Sequence, residues 1–190
     1  MDANGTSSDS VVIAAIDRAI ALKNQYNIRG INLSIGRPIF ESCTLDPLCA
    51  AVTAAWKKGI VVVVAAGNLG RNGYATITSP GNDPYAITVG AMKTEGTPQR
   101  SDDLVASYSS KGPTWIDFEV KPDVVAPGNL VHSLLVPGST LAKQFPGNIS
   151  SPYYIQLSGT SMATPVASGA AAVLLQHKNP AFRPTPLRRG

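Results

Sequence analysis

Histidine is scarce in this chain: only two occur among 190 residues. His132 lies within Asn129-Leu130-Val131-His132-Ser133, and His177 stands near the end of an apolar stretch. Cysteine is equally sparse, with Cys43 and Cys49 alone. No histidine or third cysteine lies near that pair, which argues against zinc. Charged residues make up only 15% of the chain. No apolar run approaches the roughly eighteen residues of a membrane span. The net charge of +4 owes three units to Arg183, Arg188 and Arg189, and no basic helix or aromatic-interleaved stripe points to nucleic acid. Internal repeats, low-complexity stretches and a signal peptide are also missing.

What is present reads as one α/β domain with a sizeable core, the hydrophobic share being 44%. Ser8 or Asp9 can cap a helix running to about Tyr26, with Val12, Ile13, Ile16, Ala19 and Ile20 on one face. After Gly30, Ile31 to Ile35 reads as a strand. Asp46-Pro47 is a cap followed by proline, opening a helix that continues to Gly59. Ile60 to Ala66 is a continuous β-branched run, as expected of a strand buried on both sheet faces. Tyr85 to Ala91 is a further strand, and residues 92–158, rich in Gly, Pro and Ser, read as loops and short strands. This alternation predicts a three-layer, mainly parallel sheet flanked by helices.

Gly159-Thr160-Ser161-Met162-Ala163-Thr164-Pro165 opens a stretch that is small and apolar almost all round, so a buried helix is expected there. Ser161 would sit at or near its N-cap, where backbone N–H groups lack helical partners and the dipole favours negative charge. Pro165 is expected within the first turn, where no N–H is required. Such a serine is either an ordinary cap or a nucleophile whose oxyanion would form beside free N–H donors. Local chemistry leaves both open.

The heptapeptide closely resembles the nucleophile segment of subtilisin-like serine proteases. Four further segments match that family. Val61-Val62-Val63-Val64-Ala65-Ala66-Gly67-Asn68 resembles the strand ending in the oxyanion asparagine. Tyr108-Ser109-Ser110-Lys111-Gly112-Pro113 and Lys121-Pro122-Asp123-Val124-Val125-Ala126-Pro127-Gly128 resemble the stretch preceding the nucleophile. Ile31-Asn32-Leu33-Ser34-Ile35-Gly36 resembles the strand against which the substrate backbone lies.

The resemblance implies a serine-type endopeptidase, secreted, acting on peptide or protein substrates. Ser161 would be the nucleophile, and Asn68 would donate its amide to the oxyanion, with the Ser161 N–H as second donor. Ser34, Ile35 and Gly36 would pair with the substrate, Ala65, Ala66 and Gly67 would wall the specificity pocket, and Gly159 and Thr160 would flank the nucleophile. Arg37 stands where the family usually has a second glycine, and would either favour acidic or polar side chains near the cleavage site or point to solvent.

The family's acid and base are missing from the pattern. No Asp-Thr-Gly or Asp-Ser-Gly occurs upstream, and neither histidine has the family's setting. His177 lies sixteen residues beyond Ser161, roughly 24 Å along a helix; His132 reads as a surface-loop residue. The chain is therefore read as the C-terminal portion of a peptidase domain, residues 1–180, with Met1 to Gly5 the tail of an upstream strand and 181–190 a disordered tail. Alone it is expected to be inactive or nearly so, awaiting the N-terminal part as a partner. The alternatives are a non-catalytic peptide-binding module or an unstable gene remnant.

Cys43 and Cys49 fit either a disulfide or, for Cys49, a buried thiol, the disulfide being preferred. No cofactor is expected. Calcium, common in the family, would have only Asn82 and Asp83 as weak ligands. Gly67, Gly70 and Gly73 after a buried strand have the wrong spacing for a dinucleotide turn.

Overall fold

The valine run Val61–Val64 forms the centre of the molecule, because β-branched side chains suit a pleated surface covered on both sides. In the computed structural model, which describes residues 6–177, this run belongs to strand β2 (Val61–Ala65), every residue of which is buried. Val62 and Val64 pack on one face with Ile16, Leu48, Val52 and Ala55. Val61 and Val63 pack on the other with Val89, Ala91, Ala126, Ala163 and Leu175. The period of two thus divides one short segment between two cores.

The first core comes from helices α1 (Asp9–Tyr26) and α2 (Pro47–Lys57). Asp46 caps α2, its carboxylate accepting from Leu48 N–H at 2.8 Å, and Pro47 takes the position where a missing N–H costs nothing. The second core lies under helix α4 (Thr160–His177). Between the layers runs a five-stranded sheet. Its strands are β1 (Gly30–Leu33), β2, β3 (Ile87–Lys93), the short β4 (Leu104–Val105) and β5 (Val124–Pro127). β1–β2, β2–β3 and β3–β5 pair parallel; only β4 runs antiparallel, on the end of β3. The three-layer α/β architecture read from the pattern is the one observed.

The Lys-Pro-Asp segment anchors β5. The Lys121 ammonium, fully buried, donates to Asp123 Oδ2 at 2.7 Å and to the Ala86 carbonyl at 2.8 Å. Asp123 Oδ2 also accepts from Thr88 N–H at 2.8 Å. A buried ammonium tolerates that environment because it is paired and hydrogen-bonded.

Residues 131–157, read from sequence only as loops and short strands, build a second sheet. β6 (Val131–Leu134), β7 (Ile149–Ser151) and β8 (Tyr154–Leu157) pair antiparallel in the order β6-β8-β7. Leu135, Ile155 and Ala142, the last on the short helix α3 (Thr140–Gln144), form a small core beneath it.

Two expectations about α4 are corrected. The helix is not buried all round: Ala163, Thr164 and Leu175 are buried against the sheet, whereas Val173 and Leu174 are 64% and 62% exposed. Among the described residues only one layer lies against it, so its apolar composition is satisfied on one side. Pro165 does not sit in the first turn either; it lies inside the helix, four residues beyond Ser161. The strand proposed at Met1 to Gly5 and the tail at 181–190 lie outside the described residues.

Candidate active site

Three chain segments meet where β2 ends and α4 begins. The turn after β2 carries Asn68, the first turn of α4 carries Ser161, and the segment after β1 carries Ser34, Ile35 and Gly36. Gly67 takes a φ of +105° between them, a conformation that favours glycine. A Cβ there would also come within 2.9 Å of Thr78 Cγ2.

Thr160 ties the first two segments together. Its N–H donates to Asn68 Oδ1 at 2.8 Å and its hydroxyl to the same oxygen at 3.1 Å. That hydroxyl also accepts from Gly67 N–H at 3.2 Å. With its carbonyl oxygen engaged twice, the Asn68 amide has only its NH₂ end left for a ligand. The Ser161 N–H, in the first turn of α4, has no acceptor among the described residues. An anion beside Ser161 would therefore meet two donor groups and the positive end of α4.

Ser34 and Ser161 face each other across the cleft. Ser34 Oγ donates to the Ser161 carbonyl at 2.9 Å, and Ser161 Oγ lies 3.5 Å from the Ser34 carbonyl. A cleft of about 290 Å³ opens beside them, lined by Ser34, Ile35, Gly36, Ala65, Gly67, Asn68, Thr160 and Ser161 among others. Ala66 and Gly159, also expected at the site, are not part of that lining. Ala66 is fully buried; its carbonyl accepts from Thr78 N–H at 3.0 Å. Gly159 packs beside the Asn68 amide, where a Cβ would come within 3.5 Å of Nδ2; its N–H is bound to the Gly128 carbonyl at 2.8 Å, which also accepts from the Tyr108 hydroxyl at 2.9 Å. Burial pushes the Tyr108 phenol up.

The Ser110 region stiffens the turn after β2: Ser110 N–H donates to the Gly67 carbonyl at 2.9 Å and Ser110 Oγ accepts from Leu69 N–H at 3.1 Å. Thr78 also lines the cleft and was not legible beforehand. It stands eleven residues past Gly67 in a run readable only as non-helical, and nothing in its spacing marks it.

Arg37 lines the cleft, but its guanidinium does neither thing expected of it. Nε donates to Asp9 Oδ2 at 2.7 Å and Nη2 to Asp46 Oδ1 at 2.8 Å, so its charge is matched by two carboxylates. Asp46 Oδ2 accepts in turn from Ser79 Oγ at 2.8 Å.

His132 is a strand residue rather than a loop residue. It lies in β6, its ring nitrogens 3.2 Å from Ser150 Oγ and 2.9 Å from Gln156 Nε2. His177 ends α4, at the opposite end from Ser161.

Cys43 and Cys49 are joined in a disulfide. A carboxylate oxygen of Asp83 lies within 4.8 Å of both sulfurs, yet that carboxylate is occupied. Oδ1 accepts from Tyr85 and Ala86 N–H at 2.7 and 3.1 Å, and Oδ2 from Thr53 Oγ1 at 2.9 Å. Desolvation pushes its pKa up, against these hydrogen bonds and the Lys121 charge. With both oxygens taken by protein donors, the Asp83 carboxylate does not present a free calcium ligand.

A model of the subtilase family matches residues 1–189. The chain belongs to the subtilase family. This subtilase is 48% identical over 139 residues to the serine protease AprX of Bacillus subtilis, covering 73% of this chain and 31% of that protein. It is 35% identical over 183 residues to subtilisin E of the same organism, covering 96% of this chain and 38% of that protein. Among solved structures it is similar to sphericase, with a TM-score of 0.72 and 31% identity over 94% of this chain and 53% of that one. The subtilase thus spans between a third and about half of the length of these relatives. Among the described residues no helix is long and apolar enough to cross a membrane.

Proposed function

We propose that this chain is the nucleophile-bearing part of a secreted subtilisin-like serine endopeptidase that works through an acyl-enzyme. Ser161 Oγ attacks the scissile carbonyl, a histidine from a preceding part of the domain takes its proton, and an aspartate from the same part orients that histidine. The oxyanion is stabilised by Asn68 Nδ2 and the Ser161 N–H. The substrate backbone lies along Ser34, Ile35 and Gly36 by strand addition, with one side chain entering between that segment and Ala65 to Gly67. The histidine passes the Ser161 proton to the departing amine as the peptide C–N bond breaks. Water, deprotonated by the same histidine, then attacks the ester carbon and releases the acid and the free Ser161 hydroxyl. No metal enters this chemistry. The observation that carries the reading is the Thr160–Asn68 pairing, which occupies the amide oxygen and leaves the NH₂ end for a ligand in the cleft that Ser161 lines. A relative named extracellular serine proteinase, 37% identical over 93% of this chain, supports secretion.

A serine-directed fluorophosphonate tests it. Ser161 should be labelled when a polypeptide carrying the family's Asp and His segments is supplied, and Ser161→Ala should not be labelled at all. Efficient casein cleavage by the chain alone would show that no outside base is required.

A second reading, a peptide-binding module without turnover, draws support from the histidines: one is engaged with Ser150 and Gln156, the other stands at the far end of α4. Peptide affinity without labelling, whatever segment is added, would favour it.

A further inference from the structure

An α-helix hydrogen-bonds each carbonyl to the N–H four residues on. Ser161 is followed at that distance by Pro165, which has no N–H. The nucleophile's own carbonyl is therefore orphaned by its helix. The donor comes instead from across the cleft, where Ser34 Oγ lies 2.9 Å from the Ser161 carbonyl oxygen. Ser34 is itself held, for Asn32 Nδ2 donates to Ser34 Oγ at 3.0 Å. Asn32 Oδ1 accepts in turn from Ser168 Oγ at 2.9 Å, so the chain of bonds returns to α4 two turns further on.

We infer that Ser34 is a positioning residue for the nucleophile: its hydroxyl replaces the N–H that Pro165 removes and fastens Ser161 to the substrate strand. The catalytic side of this inference rests on the reading of Ser161 as nucleophile. A helical N–H at position 165 would tie Ser161 only to its own helix. A hydroxyl from the segment after β1 ties it to the element that holds the substrate backbone, so the attacking oxygen and the bound peptide share one frame. Rate depends steeply on such placement, about a hundredfold for an ångström.

The test is a cycle of Ser34→Ala, Pro165→Ala and their combination. In the folded chain by itself, the ¹³C shift of the Ser161 carbonyl reports the hydrogen bond whether or not the serine reacts. It should move in Ser34→Ala, stay in Ser34→Thr, and return in the double variant, where residue 165 again has an N–H. In the chain supplied with the Asp and His segments, Ser34→Ala should slow fluorophosphonate labelling roughly tenfold while peptide KM changes less than about twofold. The double variant should regain most of the rate. Should Ser34→Ala unfold the chain, the comparison is made in the Pro165→Ala background, where loss of the hydroxyl should have little effect. An unchanged carbonyl shift in Ser34→Ala, or no return in a folded double variant, overturns the inference. Wild-type labelling with an unslowed Ser34→Ala overturns it while leaving the peptidase reading intact. A wild type that never labels, with a carbonyl shift that follows the cycle, overturns the peptidase reading and leaves the contact standing.

Discussion

Asn68 Oδ1 accepts two hydrogen bonds from Thr160, at 2.8 and 3.1 Å, and so fixes which end of its amide meets a ligand. Thr160, the residue before Ser161, thereby orients the amide proposed to stabilise the oxyanion. Two segments ninety-two residues apart act as one device.

Replacing Asn68 by Ala removes the donor and leaves Thr160 N–H without its acceptor. In the complemented peptidase, kcat should fall by about 10²–10³, the size known from subtilisin itself rather than worked out from this chain, with KM little changed. Asn68→Asp keeps the acceptor for Thr160 but not the donor, so it should fold as wild type and lose the same rate. Steady-state kinetics on both variants separates the two roles; an active Asn68→Asp would remove Asn68 from the oxyanion site.

Asp83 gives stability a pH dependence of definite sign. Burial raises its folded pKa above the ordinary 3.8, so the folded chain keeps this proton where the unfolded chain has lost it. Its contribution is fully present below that ordinary value and is lost as pH rises through the raised one. Asp83→Asn cannot ionise, and its amide can still serve Tyr85, Ala86 and Thr53. Urea melts at about pH 4 and about pH 7 should show the variant gaining on wild type toward neutrality. A gap that widens toward acid would reverse the assignment.

The Arg37 side chain belongs to the scaffold. Arg37→Ala would leave the carboxylate of Asp46, 1% exposed, without its cation. Since the guanidinium is itself 19% exposed, the loss should be nearer about 2 kcal/mol than the larger figures for fully buried pairs. Because the charge faces Asp9 and Asp46, the ratio of cleavage after acidic and neutral residues should stay the same. Denaturant melts and a peptide panel check the two halves; a lost preference for acidic residues would put the guanidinium at the substrate.

The Cys43–Cys49 bridge ties the short loop before α2 to the first turn of that helix. Chain entropy for a ring of that size gives about 2 kcal/mol. The double variant Cys43→Ser/Cys49→Ser should lose about that much in a urea melt. An unchanged midpoint would mean the loop is equally ordered without the bridge.

The local pattern settled much of this protein. A β-branched run with no polar break favours a strand covered on both sides, Asp46-Pro47 favours a helix start, and the spelling around Ser161 and Asn68 marked both residues. Those signals act over a few neighbouring residues, so the chain carries them openly. Long-range placement was decided by packing. Arg37 chose two carboxylates because α1 and α2 bring Asp9 and Asp46 to it. Thr78 entered the cleft because it pairs with the end of β2. The second sheet emerged from strands too short to show a clear alternation. Pro165 is the sharpest case. Its missing N–H is visible in the sequence, but the donor that replaces it, Ser34, lies 127 residues before Ser161 and is adjacent only in the fold.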